Sequence, residues 1–212
     1  MKRPASTANQ PTATDHSDVF SNRGPGIDSF VNKGFVATQM FVTDDPGEFV
    51  WVINTHTHAA DAPTRAAQIQ QIQNFVTTLP ATNPVLLLGD LNVESDENYN
   101  LSVNPSSEYA GMRSILAGFQ DLALGRGLIT DDWYHNAYAH QWSGEQPAKR
   151  IDYVLVRQGS VFELDLDAIA VVNSLPQVMY TSLCIDWNLP SAILCHYSDH
   201  FGVKANLKFR QH

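Results

Sequence analysis

Four consecutive apolar residues, Val85 to Leu88, run into Gly89-Asp90-Leu91-Asn92. An apolar run of this length reads as a short strand buried on both faces, the kind found inside layered α/β proteins. Side chains two apart in an extended chain point the same way, so Asp90 and Asn92 leave the end of a rigid strand side by side. One can accept a proton or hold a hard cation, and the other can donate hydrogen bonds to an oxyanion. Alone, the pair also reads as a polar turn.

The flanking pattern supports a layered fold. Phe30 to Val42 and Glu48 to Thr55 read as two strands of an antiparallel hairpin, joined by Asp44-Asp45-Pro46-Gly47. Asp61 or a neighbour caps a helix with Pro63 in its first turn. Ile69, Ile72, Val76 and Leu79 form its apolar stripe, Gln68, Gln70, Gln71 and Gln73 face water, and Pro80 ends it. Strand, helix and strand in succession favour an α/β arrangement. A short helix is predicted over Tyr109 to Leu116. Further strands are predicted over Arg150 to Val156, Val161 to Val172 and Phe201 to Phe209. An irregular passage between them carries Trp133, Tyr134, Tyr138 and Trp142. Residues 1–27 are polar and read as a flexible or loop-like segment, with the domain proper over 28–212.

The 212-residue chain has 43% hydrophobic and 17% charged residues, as soluble single domains do. No apolar run approaches the roughly 18 residues of a membrane span, and the amino terminus as written has no signal-peptide pattern. A formal charge of −9 opposes sequence-independent nucleic-acid binding. Cys184 and Cys195 read equally as a disulfide or as two buried thiols.

Polar clusters stand at four strand ends: Asn54, His56 and His58; Asp90 and Asn92; Asp152; and Ser198-Asp199-His200. Each has a plain alternative. Asp152 could pair with Arg150, and Asp199-His200 could be a turn. Together they suit phosphodiester hydrolysis, which needs an activated water, a cation and donors around the phosphoryl oxygens. His200 suits general-base duty, and Asp152 could fix its tautomer. Asp90 and Asp199 offer hard oxygen ligands, while Asn92 and His56 offer donors. Carboxylates with imidazoles and no thiolate cluster favour magnesium, manganese or calcium.

Asn54-Thr55-His56, Gly89-Asp90-Leu91-Asn92, Arg150-Ile151-Asp152-Tyr153 and Ser198-Asp199-His200-Phe201 occur in the order that resembles the endonuclease/exonuclease/phosphatase superfamily. Phe30-Val31-Asn32-Lys33-Gly34 and the Gln-rich helix are most similar to neutral sphingomyelinases. The resemblance implies a four-layer sandwich, with two mainly antiparallel sheets face to face and helices outside. It also implies a magnesium-dependent phosphodiesterase that cleaves sphingomyelin. In that reading His200 is the general base and Asp152 its partner. Asp90 positions water, Asn92 and His56 hold the phosphate, Asp199 and Asp90 support the metal, and His58 is a further substrate contact. Phospholipid is then the substrate, with peripheral contact to a membrane surface and a slight preference for a secreted protein. A nuclease on the same site and a non-catalytic binding domain are the alternatives.

The resemblance also implies two earlier strands and a metal-binding Glu ahead of Asn32. Only Asp15, Asp18 and Asp28 stand there, and Glu94 and Glu97 are poor substitutes. The expectation is therefore either a domain lacking its N-terminal strands, with an exposed sheet edge open to self-association, or one whose metal binding has been lost or rebuilt, with activity impaired in both cases.

Overall fold

The structure is a computed structural model that describes residues 14–95, 107–136, 139, 146–172 and 200–212. Asp199, Glu97, Cys184, Cys195, Tyr138 and Trp142 lie outside the described residues.

Six strands form the main sheet: β1 (Asp15–Val19), β2 (Gly34–Phe41), β3 (Phe49–His56), β4 (Val85–Ser95), β5 (Phe119–Asp121) and β6 (Arg150–Arg157). Their order is β1-β2-β3-β4-β6-β5, and β3 and β4 pair in parallel while the other neighbours are antiparallel. The parallel pair needs a crossover, which α1 (Ala62–Thr78) supplies. Asp61 caps α1 as expected, its carboxylate accepting from the Thr64 N–H at 2.9 Å. A second sheet pairs β7 (Phe162–Val172) with β8 (Gly202–Gln211).

Alternation along the central strands separates two cores. Phe35, Ala37, Trp51, Ile53, Leu87, Tyr153 and Leu155 pack beneath Ile69, Ile72 and Val76 of α1 and Tyr109 and Met112 of α2 (Ser107–Ile115). On the opposite face Val50, Leu86, Val154 and Val156 meet Leu164, Leu166, Val203, Leu207 and Phe209 of the small sheet. This is the expected arrangement of two stacked sheets with helices outside. Among the described residues both α-helices lie on the main sheet's side.

The loop-like expectation for residues 1–27 is corrected over Asp15–Val19, which form the edge strand β1. All five side chains are exposed, so no apolar pattern announces the strand. Backbone pairing with β2 and side chains of α1 hold it instead. The Gln71 amide donates to Asp18 Oδ2 at 2.8 Å and to the Val19 carbonyl at 3.1 Å, and its oxygen accepts from the Ser21 N–H. Phe20, next in the chain, is 2% exposed in the helix-side core.

Gln68 is a second correction, since it is buried rather than facing water. Its amide donates to the Asn22 carbonyl, and its oxygen accepts from the His58 N–H. The Gln-rich face of α1 is thus a clamp for the chain leaving β1 and the chain leaving β3.

Candidate functional site

Register brings the expected residues together. His56 on β3 pairs with Asp90 on β4, and Asp90 pairs with Asp152 on β6. The three stand in one row across adjacent strands, on the face opposite α1. That row ends at His200, whose Nδ1 lies 3.0 Å from Asp152 Oδ2 and 3.8 Å from Asp90 Oδ2. His56 Nε2 is 3.5 Å from the other side of the row, at Asp90 Oδ2. The alternative pairing of Asp152 with Arg150 does not form. Arg150 is fully buried against Asp121 at 2.9 Å, and the Tyr109 hydroxyl donates to the same carboxylate.

Backbone geometry permits this row at two points. Gly89 has φ 131°, and a Cβ there would fall onto the Thr55 carbonyl oxygen of β3. Only glycine lets β3 and β4 stay paired just before Asp90. Two residues on, Asn92 has φ 50°, within a register shift between Asp90 and Ser95. Its N–H donates to Asp90 Oδ1 at 2.8 Å and its side-chain amide to the Thr57 carbonyl at 3.2 Å. Asn tolerates this left-handed conformation better than most residues.

A cationic arm faces the row. Lys33 Nζ lies 3.3 Å from His56 Nε2, 2.8 Å from the Thr57 carbonyl and 2.9 Å from Asp28 Oδ2. The Asp28 carboxylate also accepts from the Ala59 N–H at 2.7 Å. Burial works against the charge of Asp28, but the Ala59 N–H and the Lys33 ammonium together hold its carboxyl below the usual range. Asp28 is therefore a tether for Lys33. The sequence reading placed Lys33 in a family-like segment without giving it a role. What marks it is an Asp five residues before it, a pairing that only the turn between them makes visible.

His58 is corrected from a substrate contact to a structural residue. It is 1% exposed, with Nε2 3.0 Å from the Pro25 carbonyl. Nδ1 is in reach of the Ala60 and Asp61 N–H groups. The strand ends at His56, so strand parity no longer carries His58 to the same face.

Electrostatics set the chemistry available. Asp90 is pushed up to about 6, first by burial and then by the Asp152 carboxylate, against the opposing pull of His200. His56 is lowered by burial and by Lys33, so it is a neutral hydrogen-bonding group near pH 7. Asp90, Asp152 and His200 each offer a ligand atom within 4.8 Å of the others. Two carboxylates whose mutual repulsion raises one of them form an oxygen-rich, under-neutralised site, which suits a hard divalent cation. A cavity of about 540 Å³ opens beside the row, with Val36, Asn54, His56, Gly89 and Asp90 in its wall.

Comparison with known proteins gives the family. Sphingomyelinase C 2 of Leptospira interrogans is 31% identical over 147 residues, 65% of this chain and 22% of that protein. The chain therefore spans less than a quarter of that relative's length. Beta toxin of Staphylococcus aureus superposes with a TM-score of 0.62 at 26% identity, over 86% of this chain and 60% of that one. A second beta toxin structure holds bound magnesium ions. Sphingomyelinase C of Streptomyces griseocarneus gives 0.60 at 25% identity, over 90% and 63%. The pattern of the Endonuclease/Exonuclease/phosphatase family matches residues 4–200. With that match across nearly its whole length, the chain belongs to the endonuclease/exonuclease/phosphatase family.

Proposed function

We propose that the chain carries the catalytic centre of a divalent-metal-dependent phosphodiesterase that hydrolyses sphingomyelin to ceramide and phosphocholine. The observation that carries this reading is the registered row His56–Asp90–Asp152 ending on His200. With Nδ1 held by Asp152, His200 takes a proton at Nε2 from the attacking water, and Asp152 stabilises the imidazolium that forms. The water oxygen bonds to phosphorus as the bond to the ceramide oxygen breaks, and that oxygen takes its proton from solvent water, while His200 returns its own proton to solvent. Lys33, Asn92 and His56, which cluster about the Thr57 carbonyl and one another, would hold the phosphoryl oxygens.

Asp90 and Asp199 would hold the cation. Magnesium is favoured by the hard donor set and by its presence in beta toxin. When bound, it supplies charge neutralisation at the phosphoryl group. The names of the relatives and the charge of −9 favour a zwitterionic phospholipid over a polyanion.

The test is turnover of sphingomyelin vesicles, plasmid DNA and bis-p-nitrophenyl phosphate with magnesium and with chelator. Chelator-sensitive release of phosphocholine is expected. His200→Ala should lower kcat by about 10²–10⁴ without unfolding the protein. Turnover of DNA alone would replace the lipid reading with a nuclease. No turnover of any substrate would leave a binding domain.

A further inference from the structure

Ile27 and Phe30 are 86% and 89% exposed, the most exposed large apolar side chains among the described residues, and Val31 beside them is 51% exposed. They do not hang on slack chain. Ile27–Phe30 is a short 3-10 helix, closed by the Ser29 and Val31 N–H groups donating to the Gly26 and Asp28 carbonyls. The Ser29 hydroxyl donates to the Gly26 carbonyl as well. In such a helix side chains three apart eclipse, so Ile27 and Phe30 leave on one side. Between them Asp28 turns inward and grips the Lys33 ammonium and the Ala59 N–H. The result is an apolar knob bolted to the groups that flank His56.

We infer that this knob is a membrane-docking element, which inserts Ile27 and Phe30 into the surface of a zwitterionic bilayer and so holds the site against the lipid. This rests on the lipid reading of the site given above. Two observations choose the occupant. From Arg23 to Lys33 the charged residues are Arg23, Asp28 and Lys33, and Lys33 is already paired with Asp28, which leaves Arg23, four residues before Ile27, as the one other cation of this segment to offer an anionic surface. The chain's charge of −9 opposes approach to anionic lipid in addition. An apolar tip with so little basic charge beside it suits a neutral headgroup layer, where burial of the two side chains drives binding.

The experiment compares the unaltered chain with Ile27→Ser/Phe30→Ser. The measurements are sedimentation with phosphatidylcholine vesicles, sedimentation with phosphatidylserine-rich vesicles, and turnover of soluble bis-p-nitrophenyl phosphate. The unaltered chain should bind phosphatidylcholine, the double variant should bind it at least about tenfold more weakly, and phosphatidylserine should give no gain. Soluble turnover and melting temperature should be unchanged, because both side chains already face solvent.

Equal vesicle binding by the two proteins would overturn the inference. So would a dimer of the unaltered chain that the double variant abolishes without any vesicle binding, since the knob would then meet a second copy. Vesicle binding without turnover of any substrate would keep the knob and remove the enzymatic reading. Soluble turnover without vesicle binding would do the reverse.

Discussion

Among the described residues the two faces of the six-stranded sheet are built differently, and the candidate site sits on the less covered one. Beneath α1 and α2, Phe35, Ala37, Ile53, Val85, Leu87 and Leu155 are at most 3% exposed, with no gap from β2 to β6. Among the described residues the opposite face is closed by β7 and β8 over its centre, through Val50, Leu86, Val154 and Val156. Toward β1 it opens, leaving Val36 55% exposed in the cavity wall and Met40 43% exposed further along β2. His56, Asp90 and Asp152 stand on this second face. A helix-covered face can be sealed, whereas a face that admits a substrate must give up part of its burial. The closed face then carries the stability that the open one lacks.

Adjacent residues on β4 test this difference with the strand held constant. Leu87 points to the helices and is fully buried, while Leu86 points to the small sheet and is 8% exposed. Leu87→Ala should cost about 2–5 kcal/mol in denaturant unfolding, as fully buried leucines do. Leu86→Ala should fall about 1 kcal/mol below it, because the two-stranded sheet can settle toward the gap. Equal losses would show that β7 and β8 anchor the sheet as firmly as the helices do.

How much of this was legible depended on whether side chains or backbone made the structure. The buried run at Val85, the hairpin around Pro46 and the cap at Asp61 all have a side-chain signature, and each lies where the pattern puts it. The row of His56, Asp90 and Asp152 was legible as three strand ends, but its register was not, since pairing is a backbone property. β1 was hidden because Asp15, His16, Ser17 and Asp18 look like loop. An edge strand held by backbone pairing and polar contacts, with all five side chains exposed, needs no apolar alternation. His58 was misread because parity was carried past the end of β3. Gln68 was misread because glutamine on a helix surface is ordinarily solvated, and nothing local indicates the chain it clamps.

The open face has an electrostatic cost that pH and metal can expose. Asp90 has an ordinary value of 3.8 and is raised to about 6 in the fold, by burial first and Asp152 second. Between those values the folded state holds a proton that the unfolded state has lost. This group's contribution to stability therefore falls as pH rises from about 4 to about 6, and stays low above. Asp90→Asn keeps the acceptor for the Asn92 N–H and removes the charge. At pH 7 without metal it should stabilise the chain by something on the order of 2 kcal/mol, a gain that vanishes near pH 4. Magnesium should raise the melting temperature of the unaltered chain and leave that of Asp90→Asn little changed. A variant that is less stable at pH 7 would show that Asp90 is held by contacts stronger than its repulsion from Asp152.

The smallest effect is expected where the open face is bare. Val36 lies in register between Ser17 and Asn54, and its side chain lines the cavity wall. It is half exposed, so little apolar area is lost when its shape is kept and its polarity changed. Val36→Thr should stay within about 0.5 kcal/mol of the unaltered chain in chemical denaturation. The β-branched side chain preserves the strand's preference, and the hydroxyl finds water in the open cavity. A loss well above 1 kcal/mol would mean that another surface covers Val36 in solution. The contrast between the two faces would then belong to the isolated chain alone, and an analytical ultracentrifugation run on the same sample would show whether that surface is a second copy.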